Sequence, residues 1–128
     1  MTSIEIPYSV AAALPTLSVV DITNEVAREV AAAGRATGIA YVTATAEHSI
    51  VRVNEREAGF FCDVEELFTR LLPLDTKERE RMLLMLLGPR TEQLPFTDGA
   101  LYLGTYQRIL LFTFGEMNGA GWRLTTVG

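Results

Sequence analysis

The chain has 128 residues, enough for one domain and too few for two, so residues 1–128 are expected to form a single domain. The formal net charge is −5 and the sequence contains no basic block, which counts against nucleic acid as a partner. The single cysteine, Cys62, excludes an intrachain disulfide bond and fits a reducing compartment. The sequence shows neither the charged-then-apolar pattern of a signal peptide nor an apolar run long enough for a membrane span, so we expect a soluble, cytoplasmic protein without a membrane partner.

The first third of the chain predicts short strands followed by a helix. Residues 4–8 alternate between apolar and polar and contain a proline, which suits an edge strand. Residues 11–14 are ambiguous, whereas the β-branched segment 17–20 predicts a strand. Thr23 is a plausible N-cap for a helix that ends at Gly34.

The middle of the chain predicts a long β region and then two helices. Residues 38–54 have strand character with a polar interruption at residues 47–49, and residues 55–59 predict a charged loop. Residues 63–72 place apolar side chains on one side of a helix. Asp75 then caps a second helix, which ends at a Gly-Pro pair.

Residues 98–114 carry the strongest strand signal. They open on the turn dipeptide Asp98-Gly99, and Gly104 suggests a bulge or a close approach of backbone or ligand. Beyond Arg108 both alternating faces are apolar, so both must be covered. The chain's own helices can cover one face, and the other needs a second sheet or another subunit. An Asn-Gly turn and a last strand over residues 122–127 follow.

This order of elements predicts the α+β class. We expect a mixed, mostly antiparallel, β-sandwich-like core with two to three helices. No internal repeat, linker or low-complexity segment interrupts it.

Several short motifs occur in the order and spacing of one known family. They are Asp21-Ile22-Thr23, Gly38, Asn54-Glu55, Asp63, Gly88-Pro89, Asp98-Gly99 and, above all, Leu103-Gly104-Thr105-Tyr106-Gln107. By these motifs the chain resembles the YjbQ-type family, whose members are often described as secondary thiamine-phosphate synthases; relatives usually have Trp at the position of Tyr106. The resemblance implies an α+β sandwich-like fold and a homotrimer with sites near its subunit boundaries. The apolar strand before Phe114 favours the same homotrimer.

The chain departs from this family at its histidines. The first histidine position falls on Ala46 and the last on Arg81, and residues 73–88 are too short for the family's second histidine loop. In relatives these histidines look like a metal or phosphate site. We therefore expect no metal and no cofactor, although a trimer axis could in principle gather three copies of His48, the single histidine.

The candidate catalytic residues are Glu55 and His48. Glu55 matches a family pocket residue and, beside Asn54, could orient a ligand or act as a base. The alternative is that this pair marks a turn at the end of a strand. His48 could be a displaced general base or metal ligand, or a histidine in a solvent-facing loop. Cys62 is expected to be buried in the core behind Phe60 and Phe61.

The candidate ligand-binding residues are polar or charged and surround the same motifs: Asn54, Glu47, Arg81, Gln107 and Arg108. Gln107 and Arg108 follow the break at Gly104 and could hold an anion. Arg81 could bind a phosphate group or pair with Glu47 or Glu55. If the resemblance extends to the pocket, six residues should converge: Ala46, Glu47, Asn54, Glu55, Arg81 and Gln107.

Two functions remain open. The first is a non-catalytic or altered-site homotrimer that serves as a scaffold or binds a small, possibly phosphorylated, ligand. The alternative is a thiamine-phosphate-synthase-like enzyme that joins a pyrimidine unit to a thiazole phosphate. The missing histidines and the short segment 73–88 favour the first function.

Overall fold

Two four-stranded sheets and three helices form the part of the chain that the computed structural model describes, residues 10–115 and 121–128. The predicted strand at residues 4–8 and the Asn118-Gly119 turn lie outside the described residues. The elements are β1 Val10–Ala13, β2 Leu17–Asp21, α1 Thr23–Ala32, β3 Thr37–Ala44, β4 Ser49–Glu55, α2 Ala58–Leu71, α3 Arg79–Leu87, β5 Thr91–Thr97, β6 Ala100–Leu101, β7 Gln107–Phe114 and β8 Trp122–Val127.

The predicted α+β fold with a sandwich-like core is confirmed. One sheet has the order β1-β2-β7-β4 and the other β6-β5-β3-β8, and each neighbouring pair is antiparallel. We call them the first and the second sheet. Helix α1 packs with the residues between the two sheets, whereas α2 and α3 contribute to a core on the opposite face of the first sheet.

Strand β7 is covered on both faces, as its sequence predicts. Ile109 and Leu111 join the core between the two sheets, and Leu110, Phe112 and Phe114 join the core beneath α2 and α3. Both covers come from this chain, and all five side chains are buried. The sequence-based argument that β7 needs another subunit to cover it is therefore wrong. The homotrimer itself stays a prediction.

Helix starts differ from the predicted ones because other residues hold the N-cap positions. Ile22, rather than Thr23, holds the N-cap position of α1. Helix α2 begins at Ala58 because the carboxylate of Glu57 accepts hydrogen bonds from the backbone N–H groups of Gly59 and Phe60. Part of the predicted charged loop is thus helical, since a carboxylate at the N-cap satisfies unpaired donors of the first turn.

Helix α3, in contrast to α2, begins later than predicted. Asp75 does not cap it: the N-cap is Glu78, which has a left-handed backbone conformation at φ +61°. The next residue, Arg79, is buried and donates from Nε to the carbonyl of Leu72 at 2.7 Å, which ties the start of α3 to the end of α2. The helix ends at the predicted glycine, because Gly88 adopts a positive φ of +82°.

Strand β5 was not predicted from the sequence. It contains Pro95, and a proline argues against an interior strand because it cannot donate a hydrogen bond to the sheet. The structure tolerates Pro95 because β6 is only two residues long and pairs with Phe96 and Thr97 alone. The side of Pro95 that lacks an N–H therefore faces the sheet edge just beyond β6, where the Pro95 carbonyl accepts a hydrogen bond from the backbone N–H of Tyr102.

Cys62 is exposed, so its predicted place in the core is wrong. Phe61 occupies the inward position of α2 and is fully buried. The next residue along an α-helix is rotated by about 100°, which carries Cys62 away from the core. Within residues 10–115 and 121–128, no helix is long and apolar enough to cross a bilayer.

Two adjacent phenylalanines of α2 test this orientation. Phe61 is 0% exposed and stacks edge to face on Phe112, whereas Phe60 is 42% exposed. Phe61→Ala should lower the free energy of unfolding by about 3–5 kcal/mol. Phe60→Ala is the matched control and should cost about 1 kcal/mol, because much of that ring is already in water. Urea denaturation measures both values, and equal losses would contradict the helix orientation.

Candidate functional site

A polar cleft of about 370 Å³ lies where β4 ends and β7 begins. Antiparallel pairing brings these two strand ends together and places the end of β2 on the other side of β7. The lining of the cleft therefore comes from two separate parts of the sequence, residues 55–57 and 105–108. Its lining residues are Glu55, Arg56, Glu57, Thr105, Tyr106 and Arg108.

The buried carboxylate of Asp21 holds the two arginines of the cleft. Its Oδ2 atom lies 2.8 Å from Nε of Arg108 and 3.4 Å from Nη1 of Arg56. The Asp21 side chain is 2% exposed, whereas both arginine side chains are about one-third exposed. Nη2 of Arg108 also lies 3.4 Å from Oδ1 of Asn24. Both guanidinium groups are thus anchored from the protein side while part of each remains accessible.

Thr23 connects this carboxylate to the sheet. Its hydroxyl donates to Oδ1 of Asp21 at 2.6 Å and accepts the backbone N–H of Ile109 at 2.7 Å. Burial alone raises the pKa of Asp21, but the hydrogen bonds from Arg108 and Thr23, together with the Arg108 charge, lower this pKa below its ordinary value. Asp21 therefore stays ionised, and the arginines keep their counter-charge.

The structure brings three predicted residues to the cleft region. Glu55 and Arg108 line the cleft, and Gln107 is the register partner of Glu55. Gln107 has a structural role, however. Its side-chain Oε1 accepts a hydrogen bond from the backbone N–H of Gly104 at 2.7 Å, and the backbone N–H of Gln107 donates to the Gly104 carbonyl. The break at Gly104 is thus a tight turn closed by Gln107.

The expected pairing of Asn54 with Glu55 in one pocket is wrong. Successive side chains of a strand point to opposite faces of the sheet. Ile50 lies four residues before Asn54 and therefore on the same face of β4, and it joins the core beneath α2 and α3. Asn54 accordingly lines a separate apolar pocket on that face, while Glu55 lines the polar cleft.

Glu47 and His48 lie at the opposite end of β4 from Glu55. This strand has seven residues and so spans roughly 20 Å, which excludes the predicted convergence within one chain. With Ala46, the first family histidine position, they line a third pocket of about 240 Å³. Nε2 of His48 lies 3.7 Å from Oε1 of Glu47, and Glu80 lines the same pocket.

Arg81 does not pair with Glu47 or Glu55, which was one of the alternatives that the sequence left open. It is exposed on α3, and no hydrogen bond or salt bridge reaches it from the described part of the chain. Its neighbours in the helix face the protein instead, since Arg79 is buried and Glu80 lines the third pocket. A position one residue further along the helix is rotated outward.

Sequence reasoning missed Asp21 and Arg56 as site residues. Asp21 belongs to a motif that was recognised, but nothing in the sequence shows that its carboxylate is buried. Arg56 directly follows Asn54-Glu55, and this adjacency was the available signal. A charged residue just beyond a motif at the end of a strand lies at the same sheet edge as the motif itself.

The residues present do not fit a metal site like the one that the family's histidines suggest. The corresponding positions hold Ala46 and Arg81, and neither side chain is a usual metal ligand. Across residues 10–115 and 121–128, no group of three or more His, Cys, Asp or Glu side chains is placed to hold a metal ion.

Removing the Asp21 charge tests its role as an anchor. Asp21→Asn should lower the free energy of unfolding at pH 7 by about 1–3 kcal/mol, because it removes charge-assisted hydrogen bonds. The pKa of Asp21 is lower in the folded chain than its ordinary value of 3.8, so its stabilisation is present above that value and is lost as the pH falls through the folded-state pKa.

The difference between wild type and Asp21→Asn should therefore shrink as the pH is lowered below about 4. Asp98→Asn serves as the control, since Asp98 is exposed and asparagine tolerates its positive φ of +54°. Denaturant titrations from pH 3 to pH 7 measure the difference. A gap that stays constant over this range would show that Asp21 is not the titrating anchor.

Comparison with known proteins agrees with this fold. The chain is 25% identical to a hypothetical protein of Aeropyrum pernix K1, with a TM-score of 0.76 over 88% of this chain and 90% of that one. A YjbQ/UPF0047 family protein of Clostridium acetobutylicum gives 20% identity and a TM-score of 0.76 over 91% and 95% of the two chains. A YbjQ-like protein of unknown function from Sulfolobus solfataricus P2 gives 22% identity and a TM-score of 0.71 over 81% of each chain.

No curated relative matches the chain. The profile of one protein family, described as UPF0047 protein YjbQ-like, matches residues 13–123. That match covers most of the chain, including the strands and loops that form the polar cleft. The chain belongs to the YjbQ family.

Proposed function

We propose that this protein is a non-catalytic, small-ligand-binding member of the YjbQ family that takes a small phosphorylated molecule in the cleft between Arg56 and Arg108. One observation carries this proposal: both arginines are held by the same buried carboxylate, Asp21. Anchoring before binding reduces the entropy lost when a guanidinium group grips a ligand. Arginine suits the task because its planar N–H fork matches phosphate and carboxylate oxygens.

The charges of the cleft favour a ligand with a single anionic group. Arg56 and Arg108 are opposed by Asp21 beneath them and by Glu55 and Glu57 at the rim. The Glu57 carboxylate is occupied by the first turn of α2, which leaves Glu55 to accept hydrogen bonds from the ligand. The phosphate group of a monoester can bind the two arginines while a hydroxyl or amino group of the same molecule donates to Glu55. A polyanion would be repelled by the Glu55 carboxylate.

Tyr106 supplies an aromatic surface at the same cleft. Its side chain is 72% exposed, although it follows directly on the Gly104-Thr105 turn that Gln107 closes. A tyrosine ring on a rigid turn can stack on a planar part of a ligand at low conformational cost. The hydroxyl of Thr105 adds a neutral donor and acceptor.

Catalysis of the thiamine-phosphate-synthase type has no support in this chain. The histidine positions that relatives carry are Ala46 and Arg81, and His48 lies at the far end of β4 from the arginine cleft. Glu55 is the one carboxylate of the cleft without a described structural partner, so it is assigned to ligand binding. We propose that the protein acts in the cytoplasm as a binding protein rather than as an enzyme.

Titration with inorganic phosphate tests the proposal. Arg56→Gln should weaken phosphate binding roughly tenfold or more, because one charge-assisted hydrogen bond is lost. Arg123→Gln is the matched control: it makes the same change of charge at an exposed position of β8, in the other sheet, and should leave binding unchanged. Isothermal titration calorimetry measures the affinities. Equal weakening by both substitutions would show that phosphate responds only to net charge.

We also propose that the protein assembles as a homotrimer through the outer surface of α2 and α3. Large apolar side chains are exposed there, including Leu67, Leu71, Met85 and Leu86, and Met85 is 85% exposed. Exposed apolar side chains that recur along two helices are typical of surfaces that another protein covers.

A charge placed on this surface tests the assembly. Met85→Lys should shift the protein from trimer toward monomer, because assembly would then bury an unpaired ammonium group. Ala27→Lys introduces the same side chain at an exposed position of α1 and should leave the trimer intact. Sedimentation velocity at micromolar concentration distinguishes the two species. A wild-type protein that sediments as a monomer would refute the proposal.

A further inference from the structure

We propose that the apolar pocket between the first sheet and helices α2 and α3 binds a neutral, single-ring aromatic molecule that bears a carboxamide-like group, with the side chain of Asn54 as its hydrogen-bond partner. This site is distinct from the arginine cleft. It lies on the face of the sheet that carries Asn54, beneath the helices.

The pocket has the size and lining for one ring. Its volume is about 250 Å³, and its walls include Ile50, Val64, Phe68, Phe112 and Phe114. Apolar cavities of about 150 Å³ are large enough to bind benzene. The extra volume leaves room for a polar substituent on the ring.

The aromatic walls are held in place by other rings. Phe114 meets Phe68 edge to face at a centroid distance of 5.9 Å, and Phe112 meets Phe61 in the same way at 5.9 Å. Phe61 itself is fully buried. Each of these wall rings is therefore held by a neighbouring ring, which favours a pocket that is formed before a ligand enters and needs little ordering on binding.

Asn54 supplies the polar contact that the pocket otherwise lacks. Its side-chain amide lines the pocket and is only partly exposed, and no residue of the described chain hydrogen-bonds to it. An asparagine amide both donates and accepts, so a second amide group on a ligand can satisfy both functions at once. Leaving such a group unpaired against an apolar ligand costs free energy.

The only cation of the pocket, among the described residues, is already engaged. Nη1 of Arg52 donates to the carbonyls of Val51 at 2.8 Å and Pro89 at 3.0 Å, and Nη2 donates to the carbonyl of Leu87. Burial raises the pKa of Glu92, and the charge of Arg52 partly offsets that rise. The charge of Arg52 is thus partly balanced by Glu92, and three of its N–H groups are directed to backbone carbonyls. A carboxylate ligand would have to lose its hydration in the pocket, a cost that a neutral carboxamide does not carry.

Three probes of similar size separate the contributions of the amide group, of a negative charge and of the ring alone: benzamide, benzoate and toluene. Binding is measured by calorimetry and by chemical-shift changes of the Phe68 and Phe112 ring signals. Benzamide should bind most tightly of the three. Its dissociation constant should be roughly fivefold or more below that of toluene, because one net hydrogen bond contributes about this factor. Benzoate should bind more weakly than benzamide. Benzoate binding as tightly as benzamide, or no binding of benzamide, would overturn the proposal.

Two variants locate the site. Asn54→Leu should remove the preference for benzamide over toluene while toluene still binds, and Val64→Phe should abolish binding of all three probes by filling the pocket. Asn54→Ala removes the same amide with a smaller side chain and should likewise lose the benzamide preference, which guards against a folding defect in Asn54→Leu. Phosphate affinity serves as the control and should not change in these variants. A benzamide preference that survives both Asn54 substitutions would refute the assignment.

Discussion

The rest of this structure depends on one buried carboxylate. Asp21 stands at the end of β2, and its hydrogen bonds and ion pairs reach the start of α1 through Thr23, the start of β7 through Arg108 and the loop after β4 through Arg56. A buried charge is stable only when it is paired and hydrogen-bonded, and here each partner belongs to a different element. The same contacts that make Asp21 tolerable position the two arginines that define the polar cleft.

Sequence reasoning succeeded where a pattern follows directly from burial. The doubly apolar segment before Phe114 predicted a strand covered on both faces, and β7 is such a strand. It failed where a local exception decides the outcome. Glu57 and Glu78 occupy N-cap positions without belonging to the usual capping residues, and Pro95 is tolerated in β5 only because β6 is so short. Such exceptions depend on tertiary neighbours that the sequence does not display.

The candidate site was predicted only in part, because the sequence identifies segments more readily than side-chain directions. Glu55 and Arg108 share the cleft because antiparallel pairing puts their strand ends together. The expected convergence of Glu55 with Glu47 was wrong within one chain. Strand geometry alone could have excluded it, because residues eight apart along one extended segment cannot meet within one chain. Alternation along β4 likewise separates Asn54 from Glu55. Motif resemblance identified the correct segments, and only the side-chain directions of the folded strand divided them between an apolar pocket and a polar cleft.

The position of β7 between β2 and β4 also constrains the order in which the chain can fold. Asp21 and Arg108 are 87 residues apart in sequence, and β2 and β4 have no direct pairing that could hold them together earlier. The first sheet must therefore wait until nearly the whole chain has left the ribosome. Until then β4 has no partner in its sheet and β2 has only β1, which makes folding slow and exposes the nascent chain to aggregation. Chaperone dependence during synthesis is the expected consequence of a strand order that places the penultimate strand at the centre.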